Sequence, residues 1–316
     1  MKSEFIKRGL KAEVDNFGNV IAYKSVSKNP LIVGAHIDEV GLMVKHIDKN
    51  GFIRFIKIGT IDDRTLLNQH VAIKTKKGFI PGVIGNKPFY IMEDDEKRHI
   101  IEPTNLFIDA GGDNEKQVRG MGIEIGNTIT FTADFTKLGQ NKISGKAFDD
   151  RIGCYILLQM AENIPDNVIL LGSAQEEVST FGKGAMVASY KIDPRAFIAV
   201  DSTVAGDHPE VKPQEAPVSL GKGPVIVIVE ASAKGNVADS KLTRQIIDCA
   251  KEAKIEFQME AIEVRMTDAA SVHNLKGGIP SIALCVPTRY MHSTVGVANT
   301  DDIEKCIALL NRVIQK

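Results

Sequence analysis

Long apolar runs, paired cysteines and a surplus of one charge are all missing from this chain of 316 residues. No apolar stretch approaches the roughly 20 residues that cross a bilayer as a helix, so no membrane partner is expected. The first twenty residues, MKSEFIKRGLKAEVDNFGNV, hold no apolar centre of a secretory signal. Acidic and basic residues nearly cancel, to a formal net charge of −1. That balance gives no basic excess with which to bind nucleic acid. Cys154, Cys249, Cys285 and Cys306 are scattered, with no Cys-x-x-Cys spacing. They read as reduced, packed thiols of a cytoplasmic protein. Low-complexity tracts and internal repeats are absent as well.

What is present alternates. The length suggests two domains, or one domain carrying an insertion. Short runs rich in branched residues, LIVGAHI (31–37), NVILLGSA (167–174), AFIAVD (196–201), PVIVIVEAS (224–232) and PSIALCV (280–286), read as strands buried on both faces. Helical spacing lies between them, in 150–164, 238–254 and 300–315, with Thr300 as N-cap of the last. Strands alternating with helices predict an α/β sheet covered on both faces. Residues 62–146 differ in texture. HVAIKTKKGFIPGVIGNK alternates around a Lys-Lys-Gly turn, and GIEIGNTITFTADF around Gly-Asn. These predict hairpins of a small β-domain. The expected organisation is a discontinuous α/β domain, 1–61 and 147–316, interrupted by a β-rich insertion.

Ligand sites of open α/β sheets form beyond the carboxyl ends of strands. Here those ends carry His36, Asp38 and Glu39; Gln175, Glu176 and Glu177; and Asp201. Asp149 and Asp150 precede a helix, and His292 follows a strand. Each has an ordinary reading. A lone His can pack in a loop, Asp149 and Asp150 can cap a helix, Asp201 can make a turn, and the glutamate pair can sit in a solvated loop. Together, His, Asp and Glu without cysteine suit zinc, cobalt or manganese. Glu176 and Glu177 are neighbours on a strand end, so they point opposite ways and take different jobs.

GAHIDEVGLMV, GKAFDDRIG, AQEEV, AVDSTVAGDHP and RYMHS occur in the order and approximate spacing of the glutamyl or tetrahedral (TET) aminopeptidases. Some relatives of that family have been labelled endoglucanases. The chain resembles the family from about Val14, in VDNFGNVIA, to Lys316; LGKGPVI and TDAASV resemble family segments too. The resemblance implies a zinc-peptidase-like three-layer α/β catalytic domain with a mixed central sheet, interrupted by a β-barrel-like dimerisation domain. It implies two divalent metal ions, zinc or cobalt before manganese, with His36, Asp149 and Asp201 on one and Asp149, Glu177 and His292 on the other. Glu176 would be the general base and Asp38 would stand behind the site. Glu39 and Asp150 stay structural. The implied activity is removal of N-terminal residues from short peptides, by a chain assembled as a dimer or a dodecamer.

The residue types fit that chemistry. A bridging ligand needs two usable oxygens, which Asp149 has and histidine lacks. A base must reach the water between two metals while staying off both. Asp38, two residues from His36, could accept the second imidazole N–H or tune the base. The resemblance also has departures. The family carries a helical segment before VDNFGNVIA where this sequence has about a dozen residues. VSTFGKGAM is longer than its counterpart after the glutamate pair, Gly296 stands near the place of an acidic residue, and Met266 stands where glycine is usual. The alternatives are a metal-dependent hydrolase of another amide, a glycosidase, which needs two carboxylates and no metal, and an inactive oligomeric scaffold.

Overall fold

The branched runs form strands whose alternate side chains leave the sheet on opposite faces, so one sheet supports two cores. The structure is a computed structural model and describes residues 1–178 and 182–316. In chain order the strands are β1 (Lys11–Val14), β2 (Val20–Tyr23), β3 (Leu31–His36), β4 (Gly41–Ile47), β5 (Ile53–Ile58), β6 (His70–Thr75), β7 (Gly78–Gly85), β8 (Phe107–Asp109), β9 (Thr128–Phe131), β10 (Thr136–Leu138), β11 (Lys142–Gly145), β12 (Val168–Ser173), β13 (Ala196–Val204), β14 (Val225–Val229), β15 (Gln258–Ala261), β16 (Ser281–Arg289) and β17 (Gly296–Asn299). The α-helices are α1 (Lys2–Lys7), α2 (Glu115–Gly120), α3 (Phe148–Met160), α4 (Lys183–Ile192), α5 (Ser240–Glu252), α6 (Asp268–Val272) and α7 (Thr300–Val313).

The chain divides into two compact units. The first is built on a mixed sheet ordered β1-β2-β12-β3-β13-β16-β17-β11-β10, with β14 antiparallel to β16 and β15 parallel to β14. At its centre β12, β3, β13 and β16 run parallel, so their carboxyl ends open on the same edge. Val33, Leu170, Ile198, Val200 and Leu284 point to one face, where α3, α5 and α7 lay down Ile156, Leu157, Ile246, Cys306 and Leu309. Ile32, Leu171, Phe197, Ala199 and Cys285 point to the other, against Ala185 and Ala188 of α4 and Ala269 and Val272 of α6. The result is three layers, helix–sheet–helix. Each Leu or Ile so buried contributes about 1.5–3 kcal/mol. Helix α5 starts where the Asp239 carboxylate accepts the N–H groups of Lys241 and Leu242. Helix α7 is capped by Asn299 and not Thr300: the Asn299 side chain accepts the Asp301 N–H, and its extended backbone leaves Thr300 already helical.

The second unit is a closed antiparallel barrel, β4-β5-β8-β7-β6-β9, around Leu42, Val44, Ile53, Ile73, Ile108 and Ile129. The Lys-Lys-Gly turn joins β6 to β7 as expected. The Gly-Asn hairpin does not form: β9 follows that turn directly and pairs with β4 and β6. The unit boundaries also differ from 62 and 146. They fall at Glu39 and after Phe135, because β4 and β5 belong to the barrel while β10 and β11 pair into the large sheet. Residues 292–295 group with the barrel unit. No helix among the described residues is long and apolar enough to cross a membrane.

Candidate active site

Three central strands carry polar residues at or near their carboxyl ends. His36 closes β3, Ser173 closes β12 in register with it, and Asp201 stands on β13 opposite Cys285 of β16. Asp149 and Asp150 open α3 with non-helical backbone angles, after Ala147 at φ 55°. Glu176 and Glu177 follow β12 through Gln175, which is left-handed at φ 63°.

His36 is the hub. Its Nε2–H donates to Asp149 Oδ1 at 2.8 Å, and its Nδ1–H to the Asp38 carbonyl at 3.2 Å. Asp201 Oδ1 lies 3.9 Å from Nε2. Both ring nitrogens face oxygen atoms, an arrangement that favours the charged, doubly protonated ring. Burial opposes that charge, but the bonds to Asp149 and Asp38 outweigh it and carry the ring pKa well above its usual value. The carboxyls respond in the opposite sense. Burial first, then neighbouring negative charge, pushes Asp150, Asp201 and Glu176 well above the carboxylate range. Asp38 is lower than usual: burial raises it, yet its contact with His36 and the N–H of Glu176 hold it ionised.

The Asp38 carboxylate does more than face the imidazole. Oδ1 accepts the backbone N–H of Glu176 at 3.1 Å and Oδ2 that of Glu177 at 3.2 Å. Asp38 therefore orients both glutamates, while its carbonyl holds His36 Nδ1 and so turns Nε2 toward Asp149. Asp150 contributes beyond its expected structural part. Its oxygens accept the N–H groups of His36 and Gly153, and it falls within one of the two donor sets described next.

Ligand atoms of His36, Asp149 and Glu177 lie within 4.8 Å of one another, as do those of His36, Asp150 and Asp201. Buried carboxylates that raise one another's pKa, in a donor set of nitrogen and oxygen only, fit a divalent cation, which would replace the protons they otherwise hold. Of the expected site residues, the first unit brings together His36, Asp38, Asp149, Glu176, Glu177 and Asp201. His292 belongs to the second unit; there its Nδ1–H donates to the Thr60 carbonyl at 2.7 Å. Of the departures from the family pattern, Gly296 pairs with Gly145 at the start of β17. Met266 occupies the space where a Cβ on Gly235 would stand, and residues 179–181 lie outside the described residues.

Known proteins are similar to this chain in sequence and fold. Residues 18–309 match the M42 glutamyl aminopeptidase family. The lysyl aminopeptidase of Pyrococcus furiosus is 33% identical over 309 residues, 96% of this chain and 86% of that protein. Aminopeptidase APDkam598 of Desulfurococcus kamchatkensis superposes with a TM-score of 0.92 at 35% identity, covering 99% of this chain and 87% of that one. The TET1 peptidase of Pyrococcus horikoshii, whose chains can assemble into a tetrahedron or a large octahedral shell, gives 0.88 at 30%, over 98% and 91%. A three-layer α/β unit interrupted by a barrel, with acids and a histidine gathered at the ends of its parallel strands, is thus accounted for by descent as well as by chemistry: the chain belongs to the M42 glutamyl aminopeptidase family and is a hydrolase of peptide bonds from a metal-dependent lineage.

Proposed function

We propose that this protein removes N-terminal residues from short peptides at a dinuclear metal centre. The observation that carries the reading is the pair of donor sets around His36 at the carboxyl ends of β3, β12 and β13. His36, Asp149 and Asp201 would hold one ion, and Asp149, Glu177 and His292 would hold the other. Zinc or cobalt suits these donors best, manganese less well. When bound, the two ions would lower the pKa of a shared water and polarise the scissile carbonyl.

The chain's own groups do the rest. Glu176 takes the water proton and hands it to the leaving amine. Asp38 holds the Glu176 and Glu177 backbone in place and keeps Nε2 of His36 as the ligating nitrogen. The barrel serves as the dimerisation element, and dimers build toward a dodecamer, which would admit unfolded peptides and exclude folded chains. The assembly of TET1 relatives as a dodecamer, a tetrahedron or a large octahedral shell supports this, and the four free, buried cysteines are in keeping with a cytoplasmic enzyme. The test is elemental analysis of the purified protein beside a screen of aminoacyl-anilides and short peptides. About two divalent ions per chain and release of free amino acid support the reading, and metal-loaded protein that releases none refutes it. Cleavage of a glucan that survives EDTA would favour a glycosidase instead.

A further inference from the structure

The motif DNFGN (15–19) has no part in the chemistry above, yet its last residue reaches the loop that carries the glutamate pair. Asp15 closes the β1–β2 turn, its Oδ1 accepting the N–H groups of Phe17 and Asn19. The Asn19 side chain, fully buried, then makes two contacts to one loop. Its Oδ1 accepts the Ala174 N–H at 2.9 Å, and its Nδ2 donates to the Gly184 carbonyl at 3.1 Å. Asp15 Oδ2 holds the same Nδ2 at 2.7 Å. Ala174 and Gly184 are the two ends of the segment bearing Glu176 and Glu177. Gly184 is glycine for a steric reason: a Cβ there would overlap the Ala174 carbonyl and Asn19 Oδ1.

A second clamp lies beside the first. The Ser173 hydroxyl donates to Asp268 Oδ2 at the start of the segment. Asp268 Oδ1 fills the space where a Cβ on Gly182 would stand, near its end. We infer that Asn19, with Asp268, is a positioning residue: it closes the neck of the glutamate loop and so fixes where Glu176 stands. The contacts at Ala174 and Gly184 hold the backbone next to Glu176, and a displacement of about 1 Å in a reacting group can cost 10²-fold in rate. The inference rests on the reading of Glu176 as base.

The test uses the metal-loaded full chain and a fluorogenic aminoacyl substrate. Asn19→Ala, and separately Gly184→Ala, which pries the neck open by crowding the Ala174 carbonyl and Asn19 Oδ1 while residue 19 stays asparagine, should each lower kcat by about 10- to 100-fold. KM should stay within about threefold and metal content should stay unchanged. In a Glu176→Gln background neither should lower kcat further, since a group that acts through Glu176 has nothing left to position. An equal fall in both backgrounds overturns the inference, as does loss of metal, or variants that accumulate only as unfolded protein. If Glu176→Gln alone keeps wild-type turnover, the base assignment fails. The neck is then judged on the single variants, where unchanged kcat overturns it and a fall in kcat at constant KM sustains it.

Discussion

His36 Nε2 and Asp149 Oδ1 lie 2.8 Å apart, although 113 positions separate them in the chain. The contact joins the end of a central strand to the start of a helix, and in the proposed centre both atoms face the same ion. His36→Ala removes a ligand from the ion that His36, Asp149 and Asp201 would hold. Metal content measured by elemental analysis should fall, with turnover following it. Metal content equal to wild type would take His36 out of the ligand set.

Glu176→Gln keeps size and hydrogen bonding but cannot take a proton. Turnover should fall by about 10²–10⁴-fold, while metal content stays near normal. Proportional loss of both would make Glu176 a ligand instead of a base.

Asp38→Asn replaces one acceptor oxygen by an NH2 group, which then faces a backbone N–H of Glu176 or Glu177. A buried donor left facing a donor costs about 1–3 kcal/mol. We expect kcat to drop with KM little changed, read from steady-state kinetics. Unchanged kcat would confine Asp38 to a packing role.

Glu230 gives a pH dependence separate from the metal centre. It is buried, its Oε1 accepts the Thr267 N–H, and burial raises its pKa from 4.5 to about 7. The folded state therefore binds the proton more tightly than the unfolded state. Stability is full below about pH 4.5 and is lost as pH rises through about 7, by about 3 kcal/mol at the alkaline end. Glu230→Gln should flatten the Tm-versus-pH curve over that window and raise Tm at pH 8. An unaltered slope would assign the dependence elsewhere.

Much of the centre was legible because apolar runs end abruptly in His36, Glu176 and Asp201, and water-free strands tolerate such groups only for a purpose. The barrel edge was harder to place. Only four residues separate β3 from β4, and GLMVKHI shares the apolar texture of LIVGAHI, so nothing local marks the passage from sheet to barrel. Asp150 looked like an N-terminal helical acid because its companions, the His36 N–H and Asp201, arrive from other strands. Asn19 was out of reach for the same reason: its partners lie 155 and 165 positions away. Periodicity reports which face a residue occupies, not which distant backbone group meets it there.

The most direct measurement is turnover of an aminoacyl-anilide panel by the purified protein as isolated, after exhaustive chelation, and after adding back zinc or cobalt. The expected result is release of the N-terminal amino acid, abolished by chelation and restored by about two equivalents of metal per chain. Hydrolysis that persists in the chelated protein, or no release at any metal loading, would contradict a metal-dependent aminopeptidase.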